Sequence, residues 1–223
     1  RSTSDGGITD SGTVTSQSLN AITLANNSAI YFDQLAVTGH IRFQTHGTGN
    51  ATGVNASHFK LGIYLQGMSV GGNLSATATT GNIIDWEDSD SRPANTVAGT
   101  TTLTTSANNA TINLNNPNAF GGAVSLNTTG SSANALVDNG TTALNIAASS
   151  VGGNLTLTSG NASGITDSDT VTVGGNLAAT TDANNGEINL GTLAVDGTVA
   201  LATHGSGDAT VVNDAGLNFA AST

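Results

Sequence analysis

The chain has no cysteine in 223 residues, so neither a disulfide framework nor a thiolate metal site can form. Proline occurs twice and aromatic residues make up 4%. Four Lys and Arg stand against fifteen Asp and Glu, a net charge of −11. Phosphate recognition needs clustered cations, so nucleic acid is not expected as a partner; the same shortage disfavours an anionic membrane surface. No segment approaches eighteen consecutive apolar residues, so no membrane insertion is expected in this segment. No signal peptide is visible from Arg1 onward, and any targeting information is expected to lie outside this segment.

What is present is Gly, Ala, Asn, Ser and Thr, with Val, Leu and Ile at regular spacing. Disordered chains are usually poor in aliphatics and rich in net charge or proline, so this pattern predicts a folded, turn-rich, all-β structure. The strongest signal is internal repetition. Residues 7–52 read GITDSGTVT, LAVTG and THGTGNAT; residues 164–210 read GITDSDTVT, LAVDG and THGSGDAT. Gly39 to Gly197 and His46 to His204 are both offset by 158 (197 − 39 and 204 − 46). The GITDS blocks lie one residue closer, with Val173 aligned as the extra residue. Residues 7–163 are therefore read as one super-repeat, and 164–223 as the start of the next copy, in a single segment covering 1–223.

A shorter motif runs inside the long one: an apolar residue, any residue, then Gly. It places Gly39, Gly72, Gly99, Gly122, Gly153, Gly175 and Gly197 at successive steps of 33, 27, 23, 31, 22 and 22 in the numbering. The shortest step is read as the bare coil of about 22 residues, and the longer ones as coils with inserted loops. Two and four residues after each glycine come apolar positions, as in Ile41 and Phe43 or Leu155 and Leu157, with Thr101 the exception. The positions between are polar or small, which is the period of a strand with one buried face. Propeller repeats of about 40–45 residues are too long for this unit. Asn-Gly or Asp-Gly steps suited to hairpin turns are few, as at Asn139-Gly140 and Asp196-Gly197. The prediction is a right-handed parallel β-solenoid, with Gly and Asn at corners because both tolerate positive φ. Stacking at about 4.8 Å makes the long period about six coils or about 29 Å, and the whole segment a rod of about 40–45 Å.

The strings Val-Gly-Gly-Asn-Leu-Thr-Leu-Thr and Gly-Ile-Thr-Asp-Ser-Asp-Thr-Val-Thr-Val resemble the repeats of giant bacterial surface proteins of the filamentous-haemagglutinin type. The resemblance covers most of the chain and is weakest at 53–66 and 84–96. It implies a right-handed β-helix shaft, exported and displayed outside the cell, serving adhesion, biofilm cohesion or fibres, with no catalytic motif to carry over.

Several residues invite a chemical reading. Asp85, Trp86, Glu87, Asp88, Asp90 and Arg92 interrupt a unit and are expected to project as an interaction loop, with Ca²⁺ binding the less favoured use. Asp10, Asp167 and Asp169 are expected to cap turns by bonding the backbone two residues on. His46 and His204 are too far apart to share an ion; His40, His46 and His58 are close enough in sequence for a zinc site, though loop histidines are the preferred reading. Asn-x-Ser/Thr acceptors recur at Asn26, Asn50, Asn55, Asn73, Asn109, Asn127, Asn139, Asn154 and Asn161. The outward Thr, Asn and Ser form a polar ladder too mixed for a flat ice-matching plane.

The expected function is structural: a shaft segment of an extracellular bacterial adhesin or surface fibre, not an enzyme, without cofactors. Its expected partners are other copies, stacked end to end or side by side, with glycans or a host or neighbouring cell surface as further contacts. The alternative is a polysaccharide-binding or polysaccharide-degrading β-helix: for degradation Arg1, Arg42, Lys60 and Arg92 are too scattered and the carboxylates outside 85–90 do not converge, whereas passive sugar binding along the polar ladder needs no special residues.

Overall fold

The computed structural model describes residues 1–57, 61–85 and 93–223. The named elements are all short strands, and they form two thirteen-stranded parallel sheets. The fold is the expected β-solenoid. In sheet one the inward residues Ile8, Ile30, Ala51, Leu74, Thr101 and Val124 stack in register; Val124 then pairs with Ile146, and a column shifted by two residues runs through Leu144, Ile165, Ile188 and Ala209. In sheet two Leu19 stacks under Ile41 and Ile41 under Leu65, while a column shifted by two residues runs from Ile63 through Ile83, Ile112, Ala135, Leu155, Leu177 and Val199. One coil contributes one strand to each sheet, so the chain crosses from sheet to sheet about every half coil. The two inner faces share one core in which Phe43, Leu103, Phe120, Leu126 and Leu157 are fully buried. Burying each such side chain is worth about 1.5–3 kcal/mol, and no coil can do this without its neighbours.

A third, short strand occupies a corner, and its position corrects the reading of the glycine steps. Val14–Ser16, Ser149–Val151 and Val171–Val173 each lie on the passage from sheet one to sheet two. Ser69–Val70, Thr96–Val97 and Ala119–Phe120 lie on the passage from sheet two to sheet one. The corner strand thus changes flank, and the glycine after it changes sheet. Gly39, Gly153, Gly175 and Gly197 precede sheet-two strands; Gly72, Gly99 and Gly122 precede sheet-one strands. The long steps from Gly39 to Gly72 and from Gly122 to Gly153 are therefore one and a half coils, not one coil with a loop. Only the step from Gly72 to Gly99, which contains residues 86–92, carries an insertion.

The flank changes where a corner falls over the middle of a strand. In His40–His46 the start pairs with Tyr64 and Leu65, while Gln44 pairs with Ser69. In Val124–Thr129 the start pairs with Ile146, while Asn127 pairs with Ser150. The amide stranded at the break is satisfied by a side chain: Phe43 N–H donates to Met68 Sδ at 3.1 Å and Leu126 N–H to Ser149 Oγ at 3.0 Å. The arrangement recurs where Leu201 N–H donates to Ser222 Oγ at 3.1 Å. Each time, the residue two before the side-chain acceptor donates back to the strand: Gln66 to Ile41, Ala147 to Val124 and Ala220 to Val199.

These switches at Ile41, Val124 and Val199 are separated by 83 and by 75 in the numbering (124 − 41 and 199 − 124). Ile41 and Val199 are in sheet two and Val124 is in sheet one, so each interval is three and a half coils. The super-repeat therefore holds seven coils, one more than expected, and advances about 34 Å. Its halves are related by about half a turn and about 17 Å. The extra residue of the second copy lies after Val173, because Ser16 and Val173 hold the same register against Val37 and Val195.

Candidate interaction surfaces and corner networks

The Val-Gly-Gly-Asn string is explained by the corner it builds. Asn50 Oδ1 accepts the amide of Asn73 at 2.8 Å, and Asn73 Oδ1 accepts that of Thr100 at 2.9 Å. Asn134, Asn154 and Asn176 repeat this to Asn154, Asn176 and Thr198, each at 2.8 Å. The glycine before each donor must clear the amide stacked beside it: a Cβ on Gly72, Gly99, Gly153, Gly175 or Gly197 would overlap the Oδ1 of Asn50, Asn73, Asn134, Asn154 or Asn176. Gly39 and Gly122 are pressed against the carbonyls of Gln17 and Gly99. None of these seven glycines has positive φ, so close approach, not left-handed backbone, fixes them. Left-handed backbone is found at other glycines, such as Gly47, Gly130 and Gly205, and at Asn27, Asn109 and Asn185 (φ 63°, 61° and 60°). The Oδ1 atoms of these three asparagines accept the amides of Thr48, Ser132 and Ser206.

Asp10, Asp85 and Asp167 form a second set. Sheet strands Ile30–Val37 and Ile188–Val195 bend where two consecutive residues face outward, and both amides leave the ladder. Asp10 accepts from Asp33 N–H at 3.3 Å and Gln34 N–H at 3.0 Å. Asp167 accepts from Gly191 N–H at 2.8 Å and Thr192 N–H at 2.7 Å. Asp85 accepts from Asn115 N–H at 3.0 Å and Asn116 N–H at 3.1 Å. Capping is the role found for Asp10 and Asp167, but across to the next coil and not two residues along the chain. Asp169 differs from both: its carboxylate accepts the amide of the adjacent Thr170.

Asp85 corrects the expectation of a projecting acidic loop at its own position. It ends strand Asn82–Asp85 and is 2% exposed. A chain of amides continues from it: Asn118 Nδ2 donates to Asp85, Asn95 Nδ2 donates to Asn118, and Met68 N–H donates to Asn95. Burial pushes its carboxyl pKa up, against the opposing pull of the Asn118, Asn116 and Asn115 hydrogen bonds. Trp86, Glu87, Asp88, Asp90 and Arg92 lie outside the described residues, as do His58 and Lys60.

A third set marks the coil before each switch. Asn55, Asn139 and Asn213 accept the amides of Val37, Phe120 and Val195 at 2.9, 2.8 and 2.8 Å and donate back to the same residues' carbonyls. Asn55 and Asn139 are fully buried with Nδ2 engaged on backbone, so these two acceptor motifs cannot carry a sugar. Asn50, Asn73 and Asn154 are exposed.

His46 and His204 hold equivalent places, each Nδ1 at 2.7 Å from a carbonyl of the coil below, Thr23 and Thr181. His40 sits at the other end of the strand from His46 and meets Ser18 Oγ, so His40 and His46 cannot share one ion. Among the described residues no three His, Asp or Glu converge as a metal site.

The outer faces differ. On sheet one Thr52, Ser75, Thr102 and Ser125 form one column, and Val54, Thr77, Thr104 and Asn127 the next. The first continues at Tyr31 below, and Asn145, Thr166, Asn189 and Thr210 extend the face above. On sheet two the central column is Ile84, Asn113, Leu136, Thr156, Ala178 and Ala200. The outward Thr, Asn and Ser thus belong to two separate faces, one on each sheet, and not to a single ladder.

Residues 19–127 match the model of a family described as repeats of unknown function (DUF5649). The matched segment runs from the first sheet-two strand through the Asn50–Asn73–Thr100 part of the corner ladder to the switch at Val124. No curated protein and no solved structure matches the chain.

Proposed function

We propose that the chain is a shaft segment of an extracellular bacterial adhesin or surface fibre, and that it works by stiffness and spacing. The observation that carries this reading is the use made of its polar side chains. Asp10, Asp85, Asp167 and the Asn sets at 50–176 and 55–213 are spent on holding one coil to the next. A polysaccharide-cleaving site needs two carboxylates free to act as acid and base across a bond, and these carboxylates are occupied by backbone amides. A rod cross-linked by main-chain ladders and side-chain bridges at every coil resists bending, and its loops are carried at fixed heights. The similarity of the repeats to filamentous-haemagglutinin-type proteins, the absence of cysteine and the strong acidity agree with display outside a cell. Immunogold labelling of the source cells with antibody to this chain is expected to decorate fibres projecting from the surface. Label confined to the cell interior would overturn the reading.

A further inference from the structure

We infer that the outer face of sheet two between Asn82 and Ala202 is the lateral packing surface for a second copy of this chain. The inference rests on the shaft reading and names the face through which shafts associate.

Three adjacent columns make this face. The flanking ones are Asn82, Thr111, Asn134, Asn154, Asn176 and Thr198 on one side and Asn115, Asp138, Thr158, Thr180 and Ala202 on the other. The central one has Ile84, Leu136, Ala178 and Ala200, with Asn113 and Thr156 between them. Among the described residues these three columns present one charged side chain over six consecutive coils, Asp138, with the exposed Asp182 beside them on strand Leu177–Asn184, and a spine of aliphatic groups. Side chains this short leave a flat surface, the form that permits two sheets to meet face to face at about 10 Å. A shallow groove of about 300 Å³ crosses it between Asn113, Leu136 and Thr156. Inside this region Asn113 Oδ1 is shielded from solvent and accepts no hydrogen bond, as does Asn145 Oδ1 on sheet one.

Charge selects the occupant. A copy of this chain carries −11, and like charges brought opposite one another cost several kcal/mol. Sheet one has acidic groups at both ends of its face, Asp10 and Asp33 below and Asp167, Glu187 and Asp208 above. A cationic partner would choose that side. A partner as acidic as the chain itself can approach along sheet two, where Asp85 is buried and the three columns carry one described carboxylate, Asp138, with Asp182 at their margin. The area is sufficient for a weak contact: about 29 Å by about 17 Å gives roughly 1,000 Å² over two partners, the lower edge for a specific interface. Repetition along a tandem array multiplies such a contact by avidity.

The test is sedimentation velocity with small-angle scattering of the whole chain over a concentration series to about 1 mM. Association is expected, with the cross-sectional radius of gyration rising while the length stays fixed, and tightening as salt screens the net charge. Leu136→Lys and Ala178→Lys, both outward-facing and half-buried, are each expected to weaken it at least tenfold. Thr102→Lys on sheet one is expected to leave it unchanged. Growth in length at constant cross-section would assign the contact to coil ends and overturn the inference, as would a monomer at every concentration. Loss of association in Thr102→Lys, with Leu136→Lys unaffected, would place it on sheet one and overturn it too. In each of these outcomes a rod-shaped scattering profile would leave the shaft reading standing, and a globular profile would remove both. Weakening by salt would overturn the choice of a second copy in favour of an oppositely charged partner.

Discussion

At the scale of the residue, equivalent positions carry different loads. Asp10 and Asp167 cap exposed bends, where water shares the charge. Asp85 caps a bend from inside, between Ile83 and the Asn95–Asn118 amides. Desolvation raises its pKa above the ordinary 3.8, and this fixes a sign. The folded state binds the proton more readily than the unfolded one. The contribution of Asp85 to stability is therefore fully present below 3.8 and is lost as pH rises through the higher folded value. Denaturant melts of wild type and Asp85→Asn at pH 4 and pH 7 check this: the stability of wild type minus that of the variant is expected to be larger at pH 4. A difference that is larger at pH 7 would show that the hydrogen bonds outweigh burial. Thr101 is another such position: it alone breaks the apolar column, and its buried hydroxyl has no partner.

At the scale of the element, the switch separates corner amides that matter from those that merely help. Asn73 is exposed and makes one bridging contact to the next coil. Asn139 is fully buried and holds Phe120 N–H and C=O together with the carbonyls of Thr142 and Ala143. Asn139→Ala strands several buried backbone groups and is expected to cost about 3 kcal/mol, against about 1 kcal/mol for Asn73→Ala; equilibrium unfolding of both variants measures the contrast. The strands themselves were legible in the sequence, because inward Val, Leu and Ile alternate with polar residues over every coil. The sheet to which each strand belongs was not. Gly72 and Gly153 stand in identical Val-Gly-Gly-Asn-Leu strings yet lie on opposite sheets, since the two inner faces are chemically alike and the local pattern does not record which side it faces. The information was present only in spacing, in the two long glycine steps that equal one and a half coils. The capping role of Asp10 and Asp167 was legible from residue type, but its target was not, because the bent strand it serves lies a full coil away. For Asp85 the neighbouring charges suggested a solvated loop; what buries it is Asn118, 33 residues on, a partner no local window contains.

At the scale of the whole molecule, the half-turn relation between successive switches gives the shaft a symmetry that can be measured. Equivalent corners, such as Asn27, Asn109 and Asn185 or Asp10, Asp85 and Asp167, alternate between opposite sides of the rod every three and a half coils. Loops inserted at equivalent corners would therefore leave the shaft on alternating sides, about 17 Å apart along the axis. Electron micrographs of fibres built from this repeat are expected to give a strong meridional reflection at about 4.8 Å. The first axial repeat is expected at about 34 Å. A pronounced component at about 17 Å should accompany it, because the half-repeats share a core but differ in sequence. A six-coil period would instead appear at about 29 Å without a strong half-period component. The two patterns differ by a single coil per super-repeat, and the position of one layer line decides between them.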